Sequence, residues 1–179
     1  MTTILFVKTS SLGDVVHNCP AVSDVARALP GATIDWVVEE GFAGIAAMHP
    51  AVRRVIPVAV RRWRRALWRP SVWGEVSAWR RELRRERYDA VIDTQSLFKS
   101  ALIAASALGQ RHGLDRTSAR EALAPMFYDV RHSVPRAMHA VERNRLLTGK
   151  ALATPRWGRP ITGCASLVRR NHLTPCCSR

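Results

Sequence analysis

The first apolar run, residues 4–7, is followed by a polar turn and then by Val15, Cys19, Val22, Ala26 and Leu29 at helical spacing. A short continuous apolar run is the pattern of a strand buried on both faces, as in parallel sheets. The same alternation returns along the chain. Strands are predicted over 33–38, 53–58 and 88–92, with a shorter strand-like step near 111–114. Short or regular helices are predicted over 41–48, 97–108 and 136–150, with a further helix start at 117–121. Pro30-Gly31 marks a turn, and Pro57 suits the third strand to an edge or a strand end. Strand and helix in this order define an α/β fold built on a doubly wound parallel sheet.

Residues 61–87 break the rhythm. Val72, Val76, Trp79 and Leu83 fall at helical spacing, so the second half of the segment reads as an amphipathic helix with Arg81, Arg84 and Arg85 on its opposite face. The first half, 61–70, shows no such period and is predicted to be a loop over the carboxyl edge of the sheet. Its run Arg61-Arg62-Trp63-Arg64-Arg65 has the composition of an anion clamp. The whole chain carries 28 basic against 14 acidic residues in 179, a formal net charge of +14. That excess points to nucleic acid, an acidic membrane surface or a phosphorylated substrate. Arginines with interleaved tryptophans suit phosphate contact with base stacking, and equally suit lipid headgroups, while the helix face alone suits plain solvation.

One sizeable core, and hence a single domain, is expected from the length and the 47% hydrophobic content. Cys19 stands alone on a predicted helix. Cys164, Cys176 and Cys177 with His172 could gather around zinc, but their spacing matches no familiar ligand pattern. A reducing, cytoplasmic setting fits this cysteine usage. No secretory leader or bilayer-spanning run is legible, so any membrane association is expected to be peripheral. His17, His49, His112, His132 and His139 are scattered and show no helical metal-ligand spacing. Ligands of open α/β sheets gather at the carboxyl ends of strands, which makes the turn Ser10-Ser11-Leu12-Gly13-Asp14 a candidate site; plain helix capping explains the same residues. Neither a dinucleotide fingerprint nor a P-loop is present.

Several stretches together resemble the lipopolysaccharide heptosyltransferases, and most closely those that add the first heptose of the inner core. They are residues 7–15, 35–42 and 55–58, then Arg61-Arg62-Trp63-Arg64, residues 88–95, Ala119-Arg120-Glu121 and residues 139–143. The resemblance implies the amino-terminal, Rossmann-like half of a GT-B glycosyltransferase. It implies an acceptor-binding domain over 1–152, with Kdo-modified lipid A as acceptor at the cytoplasmic face of the inner membrane. ADP-heptose, the donor, would be held by a second domain. Inverting, metal-independent displacement follows, with no cofactor and no metal, and nucleic acid is disfavoured as a partner. Asp14 would be the general base; Arg61, Arg62, Arg64 and Arg120 would hold acceptor phosphates and carboxylates; Ser10, Lys99 and His139 would lie near the cleft. Ser96 departs from the glycine usual at its position, and Asn18-Cys19 from Thr-Leu. Residues 153–179 match neither the family nor either period, and are expected to be an irregular, truncated or out-of-frame tail without the donor domain, leaving this chain inactive alone. A basic nucleic-acid-binding module using 61–87 and a non-functional remnant are the alternatives.

Overall fold

The computed structural model describes residues 2–153. Six strands form one sheet: β1 (Thr3–Val7), β2 (Thr33–Glu39), β3 (Val52–Val58), β4 (Arg87–Asp93), β5 (Leu108–Leu114) and β6 (Val130–His132). All neighbours run parallel, in the order β3-β2-β1-β4-β5-β6. The helices are α1 (Leu12–Val16), α2 (Cys19–Ala28), α3 (Ala43–Ala47), α4 (Val60–Trp63), α5 (Pro70–Leu83), α6 (Phe98–Ser106) and α7 (Ala140–Leu152). This is the doubly wound, Rossmann-like α/β fold expected from the strand–helix alternation.

The period of two explains the two cores. Along β1, Ile4 and Phe6 face one layer with Ile34, Trp36, Ile92, Val22, Val25 and Leu147, while Leu5 and Val7 face the other with Val37, Val91, Leu83 and Ile103. Every residue of that run is fully buried, which is why no polar position interrupts it. Pro57 lies on β3, an edge strand, where a missing N–H leaves no ladder partner wanting. Among the described residues, three carboxyl groups are buried in the sheet, Asp35, Glu39 and Asp93. Asp35 of β2 accepts hydrogen bonds from Arg53, Arg54 and the Tyr88 hydroxyl, so two of the arginines are committed to structure.

Five expectations give way to local chemistry. The single helix expected through 15–29 splits into α1 and α2, because Pro20 opens α2 without an N–H and cannot follow a helical turn. The expected helix at 41–48 is shorter, a 3₁₀ turn at Glu40–Phe42 leading into α3. The loop expected over 61–70 begins as one helical turn, α4, closed by the Trp63 amide on the Ala59 carbonyl. No helix starts at 117–121. There the Asp115 side chain takes the Ser118 amide and the Thr117 hydroxyl, holding a turn that leads to a 3₁₀ turn at Ala124–Phe127. The last helix begins at Ala140 rather than 136, capped by the His139 ring, whose Nδ1 accepts the Val141 amide. The sequence-predicted tail at 153–179, and the zinc grouping of Cys164, His172, Cys176 and Cys177, fall almost wholly outside the described residues.

Candidate functional site

The strand order reverses between β1 and β4, where Val7 lies beside Asp93. In open α/β sheets this switch point opens a crevice beyond the carboxyl ends of the strands. The loops that leave β1 and β4 meet across it. Gln95 stitches them: its Oε1 accepts the Thr9 amide and hydroxyl, each at 2.7 Å. Its Nε2 donates to the Ser10 carbonyl at 2.9 Å. The Ser10 hydroxyl then receives Lys99 Nζ at 3.1 Å, so both its backbone and its side chain are fixed.

Beneath this clamp lies Asp93, wholly buried at the end of β4. Its carboxylate accepts the Gln95 and Ser96 amides and the hydroxyls of Ser100 and Tyr128. Burial raises its carboxyl despite these four donors. The turn it holds places Ser96 at φ 55°, a left-handed conformation that favours glycine.

Asp14 stands on the first turn of α1. The Ser11 amide donates to its Oδ2 at 3.2 Å, and Arg120 donates to Oδ1 at 3.1 Å and to Oδ2 at 3.4 Å. Lys8 Nζ is 3.8 Å from Oδ1 and donates to the Thr94 carbonyl at 2.9 Å. Burial alone would raise the Asp14 carboxyl, but Lys8, the Ser11 amide and Arg120 outweigh it and hold the group below the ordinary carboxylate range. Burial acts on Lys8 too, pushing its ammonium down to about 8 even with Asp14 beside it. The result is an ionised carboxylate at neutral pH with two cations against it.

More cations surround that pair. Arg120 lies in the 116–123 turn, whose carbonyls at Ser118 and Ala119 accept Arg143 and Arg136. Burial, then Arg120 and Arg136, lower the Arg143 guanidinium from its usual range. Lys8, Gln95, Arg120, Arg143 and Asn144 line one small polar recess. Such a recess suits an anionic group that would share the guanidinium donors with Asp14.

The structure brings together Ser10, Lys99, Asp14 and Arg120. His139 caps α7 and meets His17 edge-on, ring centroids 5.3 Å apart, which sequence spacing did not disclose. The arginines of α4 occupy another place, an open groove beyond the carboxyl end of β2. Arg61 spans that groove, its backbone amide on Glu39 and its guanidinium 5.5 Å from the Phe42 ring centroid. Arg62 is engaged by Glu75 at 2.7 Å and Glu40 at 3.4 Å. Arg64 is exposed and carries no ion pair among the described residues. Lys8, Gln95 and Arg143 were not singled out from sequence. Lys8 and Gln95 left a signal, being polar residues just beyond buried strands; Arg143 left one only as the last residue of the 139–143 stretch.

Residues 76–163 match the family described as glycosyltransferase family 9 (heptosyltransferase). The chain is 48% identical over 172 residues to lipopolysaccharide heptosyltransferase 1 of Escherichia coli (strain K12), covering 96% of this chain and 53% of that protein. To the protein of the same name from Pseudomonas aeruginosa it is 54% identical over 154 residues, covering 85% and 43%. The structure of E. coli heptosyltransferase WaaC with ADP superposes with a TM-score of 0.82 at 45% identity, over 97% of this chain and 54% of that one. E. coli ADP-heptose lps heptosyltransferase II superposes at 0.62 with 25% identity, over 83% and 40%. The chain therefore spans about half the length of the relatives it matches. Sheet order, switch-point site and these superpositions define a Rossmann-like α/β unit of the GT-B glycosyltransferase type. Over the length it shares with them, the chain belongs to the heptosyltransferase family, glycosyltransferase family 9.

Proposed function

We propose that residues 1–152 are the acceptor-binding half of an enzyme of lipopolysaccharide inner-core synthesis, which transfers heptose from ADP-heptose to the Kdo of Kdo-modified lipid A. The observation that carries this reading is the Asp14 carboxylate at the sheet's switch point, ionised and held between Lys8 and Arg120, with Arg143 lining the recess beside them. In the proposed step a Kdo hydroxyl oxygen attacks the anomeric carbon of the heptose as the bond from that carbon to the ADP oxygen breaks. ADP leaves with the electron pair, the configuration inverts, and Asp14 takes the hydroxyl proton. Charge on the acceptor is met by Arg120 at the recess, by Arg61 and Arg62 at the groove and by the exposed Arg64 that follows them in the chain, with Ser10, Lys99 and His139 shaping the cleft. The step uses no metal and no cofactor.

Two structural relatives, E. coli heptosyltransferase WaaC with ADP and with ADP-2-deoxy-2-fluoro heptose, support a nucleotide-sugar donor. In this reading the donor is held by a second domain, the 179-residue chain alone transfers no heptose, and the enzyme works peripherally on the cytoplasmic face of an anionic inner membrane. No helix among the described residues is long and apolar enough to cross a membrane. The test is Asp14→Asn in a chain joined to a donor half. Turnover is expected to fall by about 10²-fold or more with the acceptor KM little changed. Equal losses in acceptor affinity and in turnover would remove Asp14 from the role of base.

A further inference from the structure

The link between α4 and α5 turns apolar side chains outward. Leu67 is 48% exposed, Trp68 76%, and Trp73 on the first turn of α5 is 58% exposed. Single exposed apolar residues are ordinary, but these three lie close along the chain, and Trp73 is tied back to the link by its Nε1, which donates to the Leu67 carbonyl at 2.9 Å. The inner side of the link is anchored. Trp63 meets Trp79 edge-on at 5.9 Å, and its Nε1 donates to Glu75 at 3.0 Å. Two tight turns, Ala66 amide to Trp63 carbonyl and Arg69 amide to Ala66 carbonyl, hold the protrusion in shape.

Its charge is one-sided. Arg64, Arg65 and Arg69 flank Leu67 and Trp68, are exposed, and carry no ion pair among the described residues. The nearby acids Glu40 and Glu75 are both engaged by Arg62. Guanidinium groups around an exposed indole and a leucine match the phosphate layer of a bilayer and the acyl boundary beneath it. Nucleic acid would use the arginines and an indole, but gives Leu67 nothing to bury against.

We propose that residues 65–73 seat this protein on an anionic lipid bilayer. Arg65 and Arg69 lie on headgroup phosphates, and Leu67, Trp68 and Trp73 reach the acyl boundary. The assignment rests on the reading that the acceptor is lipid-borne, and it adds an orientation. The link follows β3 through α4, beyond the carboxyl end of that strand, so seating it turns the carboxyl edge of the sheet, with Asp14, toward the lipid.

Binding of the whole 179-residue chain to phosphatidylcholine vesicles, with and without phosphatidylglycerol, tests this. Wild type is expected to sediment with the anionic vesicles only. Arg65→Glu/Arg69→Glu should weaken that binding about tenfold or more, from roughly a kcal/mol per cation near the surface. Arg81→Glu/Arg84→Glu, an equal charge change on α5, should leave it within about twofold, since charges beyond a Debye length are screened. Vesicles with brominated acyl chains should quench the tryptophan emission of wild type, and Trp68→Ala should remove a large part of that quenching, Trp73 keeping the rest, with the fold unchanged by circular dichroism. Equal loss in both double variants, or quenching unchanged in Trp68→Ala, would overturn the link assignment while leaving membrane binding standing. No binding of wild type to anionic vesicles, or displacement by an oligonucleotide of equal charge, would overturn the membrane reading itself.

Discussion

The Asp14 carboxylate receives one hydrogen bond from the Ser11 amide and two from Arg120, with Lys8 at 3.8 Å. Donors of this kind stabilise the charged form, so they make Asp14 a persistent anion and a poor proton acceptor. Arg120 is 46% exposed on its side chain, and an acceptor phosphate or carboxylate in the recess would compete for the same guanidinium. In the proposed mechanism, drawing Arg120 away would restore basicity to Asp14 when acceptor is bound. As the proposed base, Asp14 would work only when ionised, so activity is expected to fall as pH drops through its pKa, which Lys8, the Ser11 amide and Arg120 hold low. Arg120→Ala is expected to move the acid limb of the kcat/KM–pH profile, which reports the free enzyme, upward, because an opposite charge beside a carboxyl is lost. An unmoved limb would mean that the Arg120 pair is absent from the free enzyme. Ser96 offers a simpler test. A residue other than glycine at φ 55° costs about 1–2 kcal/mol, partly offset by the extra freedom glycine has when unfolded. Ser96→Gly should raise the thermal midpoint by about 2 °C, and a lower midpoint would mean that the serine side chain contributes more than the strain removes.

At the scale of elements, β5 and β6 carry a pair of histidines that no sequence spacing revealed. His112 and His132 stack with planes 9° apart, Nδ1 of one 3.2 Å from Nε2 of the other. Burial lowers both to about 4, His132 further depressing His112 and Lys150 depressing His132, against a smaller opposing pull of Asp129 on His112. Both native values lie below those of unfolded histidine, so the unfolded chain binds more protons in this window. Stability is therefore full above about pH 6.5 and is lost as pH falls toward 4. His132→Gln should flatten roughly half of that decline in thermal melts recorded across the window; an unchanged slope would place the titration elsewhere. The pair also shows where the sequence was legible. Strands β1, β2 and β4 were readable because burial on both faces leaves a continuous apolar run. Strand β6 was not, since Val130-Arg131-His132 is too short for any period and borrows its place from pairing with β5. The 117–121 helix failed for a related reason: Asp115 competes for the backbone locally, and a cap-like composition reads the same in a turn.

For the whole molecule, the site was legible where one loop carries it and hidden where the fold assembles it. Asp14 and Ser10 follow from strand, turn and helix in order, whereas Arg120 arrives from 106 residues away and Gln95 from 85. Only the resemblance named Arg120 beforehand, and nothing named Gln95 as the clamp. The assembled edge faces outward, with Lys8, Asp14, Arg120 and Arg143 gathered at the carboxyl ends of the strands and no second sheet opposite them among the described residues. The proposed reaction, between a sugar nucleotide and a lipid-borne hydroxyl, would need both partners held in one geometry, and such positioning supplies much of the rate. With the chain covering 53% of its E. coli relative, acceptor binding and transfer should be separable. The 179-residue chain is expected to bind a phosphorylated Kdo-modified lipid A analogue in calorimetry, to show no heat with ADP-heptose, and to transfer no heptose. Joined to the carboxyl-terminal half of that relative, it should gain transfer, and Asp14→Asn in the joined chain should remove it while leaving analogue binding intact. Transfer by the 179-residue chain itself would overturn the division of labour. Analogue binding only by the joined chain would move the acceptor site off this half and onto the cleft between the two.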